Sequence, residues 1–155
     1  MDVKTKGHAA ILIFLGFFTL VFFSAEARAG EKGPYAEPPR AMWVWDAKLF
    51  RDEPAPQRLL DFCKARRVNL IFYTAYKVGG SLAWDYRRFN KTAHQNGIGV
   101  HALAGDPRWA LLKYHHRCLE WVSDILEFNM AAAPDERFDG VHSDVEPYLL
   151  GKAWE

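Results

Sequence analysis

The stretch Asn69-Leu70-Ile71-Phe72-Tyr73-Thr74-Ala75-Tyr76, followed by Gly79-Gly80 and then by Ser81 to Asn96, decides the fold of this chain. The first eight residues are rich in aromatic and branched apolar side chains, as strands are. Gly79-Gly80 marks a turn. From Ser81 the pattern changes period: Leu82, Tyr86, Phe89 and Ala93 recur at three- and four-residue intervals, which places them on one face of a helix, and Gly97 supplies the stop. A second β-rich run, Ile98 to Ala104, follows at once. A strand, a helix and another strand in immediate succession return the chain to the same edge of a sheet, so the strands are expected to be parallel.

The same unit recurs on both sides. Ala41-Met42-Trp43-Val44-Trp45 reads as a buried strand ending at Asp46, and after Pro54 and Pro56 comes a helical pattern from Gln57 to Arg67 with Leu59, Leu60, Phe62 and Cys63. Beyond the break at Gly105-Asp106-Pro107 a helix is expected from about Trp109 to Phe128, and a fourth strand from Gly140 to Val145. The expected class is therefore α/β, with four parallel strands and three intervening helices. The glycine-rich phosphate loop of doubly wound sheets is missing after the first strand. The expected architecture is the N-terminal half of a TIM (β/α)8 barrel, because units about 33 residues apart would need roughly 260 residues for eight and the chain has 155.

Half of the residues are apolar and a quarter charged, which excludes disorder, and 20 Lys and Arg against 19 Asp and Glu leave no positive field for a nucleic-acid coat. Lys4, Lys6 and His8 precede an apolar run from Ala9 to Phe23, and Ala27-Arg28-Ala29 follows as a small-x-small cleavage pattern. Residues 1–29 thus read as a secretory signal peptide, too short in its apolar run to span a bilayer, and the protein is expected to be secreted or periplasmic without stable membrane insertion. Residues 30–40, with Pro34, Pro38 and Pro39, form an exposed lead-in, and 41–155 form the partial barrel domain. Export permits a disulfide. Cys63 and Cys118 fall on helices separated by a third, so two free buried thiols are expected instead.

The fourth strand carries the chemistry. In Phe138-Asp139-Gly140-Val141-His142-Ser143-Asp144-Val145-Glu146-Pro147-Tyr148, alternation sends His142, Asp144 and Glu146 to one face, the inner face of a closed barrel. Carboxylates at the C-terminal ends of barrel strands are where catalysis is found, and close placement lets one charge hold the other acid protonated as a general acid. Asp139, Gly140, Asp144 and Glu146 resemble the Asp-Gly-x-x-x-Asp-x-Glu signature of the family 18 glycoside hydrolase barrel, typified by chitinases; His142, Val145 and Pro147-Tyr148 depart from it. The resemblance implies Glu146 as proton donor to the glycosidic oxygen and Asp144 as the group that orients a substrate acetamido nucleophile. The chain also looks like a group of bacterial secreted barrel proteins through Met42 to Trp45, Val100 to Ala110 and Gly140 to Leu150, a likeness covering about four of eight barrel units.

Other strand ends are expected to converge on the same mouth. Trp45, Tyr76, His101, Asp106, His142 and Tyr148 are the candidate substrate-binding residues, since aromatic platforms with carboxylates describe a sugar cleft. One of Trp43 and Trp45 is expected to face inward, Tyr73 and Tyr76 to take opposite faces, Asp106 to open a helix as an N-cap, and Asp139 to set the turn into the strand. No cofactor or zinc-type Cys/His spacing is present, and a carbohydrate is the expected partner. Two other readings stand beside the glycosidase. One is a metal-dependent barrel hydrolase using His101, His142, Asp144 and Glu146 as ligands. The other is a non-catalytic or truncated half-barrel, whose open strand edges invite self-association.

Overall fold

The computed structural model describes residues 38–153. The expected signal peptide and the lead-in through residue 37 lie outside the described residues. Four strands, β1 (Ala41–Val44), β2 (Leu70–Thr74), β3 (Gly99–Ala104) and β4 (Gly140–Ser143), form one parallel sheet in the order β1-β2-β3-β4. Between them run α1 (Lys48–Arg51), α2 (Ala55–Arg66), α3 (Leu82–Gln95) and α4 (His115–Ala131). The fold is α/β, as the alternating periods predict. No helix among the described residues is long and apolar enough to cross a membrane.

Three details differ from the sequence expectation. The third connection is not one helix from Trp109: Pro107–Ala110 and Leu112–Tyr114 are separate 3₁₀ turns, and α4 begins only at His115. Pro107 lacks an N–H, and the Asp106 carboxylate takes the Arg108 N–H at 2.9 Å, so the chain starts in a tight capped turn. The one-turn helix α1 is too short for any periodicity to reveal. β4 stops at Ser143 instead of Val145, although the Asp144 N–H still donates to Ala104 O at 3.0 Å, and Pro147 opens a 3₁₀ segment, Pro147–Ala153.

The sheet has two unlike faces. Val44, Ile71, Tyr73, Val100, Ala102 and Ala104 point to the helices and are buried in one core with Phe50, Leu60, Tyr86, Phe89, Trp121, Ile125 and Phe128. The opposite face holds only a small separate cluster of Leu70, Phe72 and Leu103, with Ala41 against it. Among the described residues all four α-helices contribute to the first face and none to the second. Cys63 and Cys118 are both free; Cys63 is buried, with burial pushing its thiol up to about 11, while Cys118 is only half-buried.

Two polar links tie α3 to the lead-in of β4. Tyr73 OH, buried and pushed by burial well above the ordinary phenol range, donates to Asn90 Oδ1, and Asn90 Nδ2 donates to Glu136 O at 3.0 Å. The second link is His94, whose Nδ1 lies 2.8 Å from Asp135 O and whose Nε2 lies 3.0 Å from Asp139 Oδ2. Both neighbours are acceptors, so only the doubly protonated ring satisfies both. The hydrogen bond to Asp139 raises the His94 pKa against the opposing effect of burial. Asp139 is pushed up by burial, but the His94 hydrogen bond and the Val100 N–H, 2.7 Å from Oδ2, bring it below the ordinary carboxylate value. The Asp139 side chain thus ties the start of β4 to β3 and α3 and, among the described residues, makes no turn contact of its own.

A pH dependence follows. The His94 contribution is complete below the ordinary histidine pKa of about 6.5 and is lost as pH rises through the raised folded value. The Asp139 contribution is present above the ordinary carboxylate range and is lost as pH falls through its lowered folded value. Asp139→Asn is expected to lower stability near pH 6 by about 1.5–3 kcal/mol, the usual worth of hydrogen bonds to charged groups, and to flatten the decline toward pH 8. Urea unfolding midpoints across a pH series measure both effects.

Candidate functional site

The strand registers align the residues of the open face. Trp43 pairs with Phe72, Phe72 with His101, and Leu103 with His142. Their rings meet: Phe72 stacks on His142 with centroids 4.1 Å apart and planes 13° apart, Trp43 lies edge-on to both, 5.2 Å from Phe72 and 5.7 Å from His142, and His101 is 5.5 Å from Phe72. Trp43 remains 49% exposed, while Phe72 beneath it is buried. Burial lowers the His101 pKa, against the opposing charge of Asp139. A Cβ built on Gly140 would approach the His101 ring to 3.0 Å, so glycine at this position gives the imidazole its seat.

At the C-terminal ends of β3 and β4 a second group gathers. Tyr76 OH donates to Gly105 O at 2.6 Å and accepts from Gly105 N at 3.2 Å. Gly105 in turn lies against the backbone of Asp144: a Cβ there would sit 1.7 Å from Asp144 O. Asp144 and Glu146 are both half-buried. Tyr148 OH donates to Glu146 Oε1, and this hydrogen bond, with the negative charge of Asp144 adding to it, raises the Tyr148 pKa and keeps its hydroxyl protonated. The 3₁₀ turns Pro107–Ala110 and Pro147–Ala153 pack against each other beside this cluster.

His142 and His101 therefore lie on one face with the aromatic rings, while Asp144, Glu146 and Tyr148 follow the end of β4 and Tyr76 holds Gly105 at the end of β3. Because β4 ends at Ser143, alternation does not itself place Glu146, which comes at the start of a 3₁₀ turn. Asp106 is an N-cap, as one expectation had it. It is also gripped by Arg108, whose Nη2 lies 2.5 Å and Nε 3.0 Å from its oxygens, and the Arg108 hydrogen bond leads the lowering of its pKa. Trp45 lies just beyond β1, half exposed. The tryptophan in ring contact with Phe72 and His142 is Trp43, and neither it nor Phe72 was among the candidate site residues; register across the strands was the missing signal. Tyr73 and Tyr76 do separate, the first into the core and the second to the strand ends.

Among the described residues no three His, Cys, Asp or Glu side chains converge as metal ligands, so His101, His142, Asp144 and Glu146 do not form the divalent-ion set of the metal-hydrolase reading. A groove of about 510 Å³ lies elsewhere, between the Lys77–Gly80 loop and α4, with Phe128, Arg87 and Glu127 in its wall. Compared with known protein families, curated proteins and solved structures, the chain matches none.

The approach of Gly105 to Asp144 gives a direct test of the site's construction. Gly105→Ala is expected to push the β4 end away from β3, destabilising the fold by about 1–3 kcal/mol, the usual range for overpacking. It should also shift the amide resonances of Asp144 and Glu146 more than those of β1. Backbone NMR of the variant checks both.

Proposed function

We propose that this chain is an exported, glycoside hydrolase-like half of a (β/α)8 barrel whose ligand is a polysaccharide or oligosaccharide. The observation that carries the proposal is the position of Asp144 and Glu146 immediately beyond the C-terminal end of β4, a strand whose His142 packs with the exposed Trp43 on the same face of the sheet. Support for the half-barrel comes from the sequential strand order and from helices gathered on one face. A doubly wound sheet reverses its order and carries helices on both faces. The amino-terminal leader supports export.

In this reading a sugar ring lies on the Trp43 side of the open face. Glu146 gives its proton to the glycosidic oxygen as the bond to the anomeric carbon breaks, and Asp144 orients the acetamido group whose carbonyl oxygen attacks that carbon. Tyr148, already bonded to Glu146, holds the donor carboxyl in place. The test is release of reducing ends from N-acetylglucosamine oligosaccharides, set beside an uncharged glucan of similar length. Hydrolysis or binding of the acetamido sugar alone supports the full reading. Binding of neither contradicts it.

A further inference from the structure

We propose that the groove between α3 and α4 is a binding site for a short zwitterionic peptide, two or three mainly apolar residues with both termini free. It shares no lining residue with the Asp144 and Glu146 cluster and does not depend on the sugar reading. The charges on its walls are sorted by sign. Arg87 of α3 and Lys77 of the loop after β2 supply the cations, while Asp124 and Glu127, one helical turn apart on α4, supply the anions. Among the described residues none of these four comes within 4.0 Å of an opposite charge, whereas two neighbours of Arg87 on α3 are paired, Arg88 with Glu53 and Lys91 with Asp135, each at 2.9 Å. The groove holds its opposite charges apart.

Arg87 is left incompletely bonded. Its Nη2 donates to Ala131 O at 3.1 Å and its guanidinium carbon lies 5.7 Å from the Phe128 ring centroid, but its buried Nε has no acceptor among the described residues. A buried N–H without an acceptor is costly. A carboxylate entering the groove relieves that cost once the guanidinium turns toward it, because the planar fork can take both oxygens of one carboxylate. Asp124 and Glu127 on the facing helix accept from an ammonium group. Val78 and Phe128 give the ligand's side chains an apolar lining, and at Gly79 and Gly80 a Cβ would meet nothing within 4 Å, so a peptide backbone has room to approach the loop. The length of the ligand follows from the gap. In a free amino acid both charges sit on one carbon, whereas here cations and anions lie beyond ion-pair distance around a space of about 510 Å³, a size usual for small-molecule sites. Two or three residues set the termini far enough apart to reach both walls.

The experiment is NMR titration of the full, isotopically labelled chain with alanyl-phenylalanine, set beside its N-acetylated form, its C-terminal amide and free phenylalanine. The expected result is a saturable shift of the Arg87 Nε–H resonance and of the Gly79 and Gly80 amides, with affinity falling about tenfold or more when either terminus is blocked, as loss of a charge-assisted hydrogen bond predicts. Asp124→Asn with Glu127→Gln should remove the difference between the free and acetylated peptides while keeping that between acid and amide. Arg87→Gln should do the converse. Asp124 and Glu127 are exposed, so their variant keeps the test open even where Arg87→Gln fails to fold, which far-UV circular dichroism reads. No saturable shift at millimolar peptide, equal affinity for the blocked peptides, equal affinity for phenylalanine, or shifts confined to Asp144 through Tyr148 would each overturn the proposal.

Discussion

Phe50→Ala is expected to destabilise the fold by about 3–5 kcal/mol, the usual range for deleting a buried aromatic. Phe50 is completely buried although it belongs to a helix of one turn. Its ring lies 4.6 Å from Tyr73, 5.3 Å from Tyr86 and 5.9 Å from Phe89, so it joins β2 to α3 from the connection between β1 and α2. A chain of this size has a net stability of about 5–15 kcal/mol, and losing this ring removes a large fraction of it. Thermal or urea unfolding of the variant measures the loss. A change under about 1 kcal/mol would mean that the aromatic cluster closes up without Phe50.

On the proposed function, Glu146→Gln is expected to reduce hydrolysis of acetamido oligosaccharides by about 10²–10⁴-fold, the usual contribution of a general acid. The amide retains the size of the carboxyl group but has no proton to give to the glycosidic oxygen. Binding should change little, since the ring surface of Trp43, Phe72 and His142 is untouched. Trp43→Ala should do the reverse, weakening binding first. An unchanged rate in the glutamine variant would assign the proton donor to another residue.

The fold was legible where pattern and length agree. Leu70 to Thr74 and Leu82 to Gln95 show unambiguous periods, and Gly97, at φ 70°, ends α3 in the conformation its type predicts. At the equivalent place after α2, Arg67 takes φ 55° without the glycine that would have announced it. Short elements were not legible, because a single turn such as Lys48–Arg51 has no period to read. The site was legible in part. Asp144 and Glu146 stood out through their spacing. The partnership of Trp43, Phe72 and His142 depends on register between strands far apart in sequence, and the Asp106–Arg108 fork depends on how a 3₁₀ turn closes on itself.

Titration of the isotopically labelled protein with a soluble N-acetylglucosamine oligosaccharide, followed by two-dimensional NMR, tests the proposed carbohydrate site most directly. The expected result is a saturable shift of the Trp43 indole, of His142 and of the amides from Asp144 to Tyr148, lost in Trp43→Ala. Shifts confined to the groove near Arg87 and Glu127, or none at millimolar sugar, would contradict a sugar site at the end of β4.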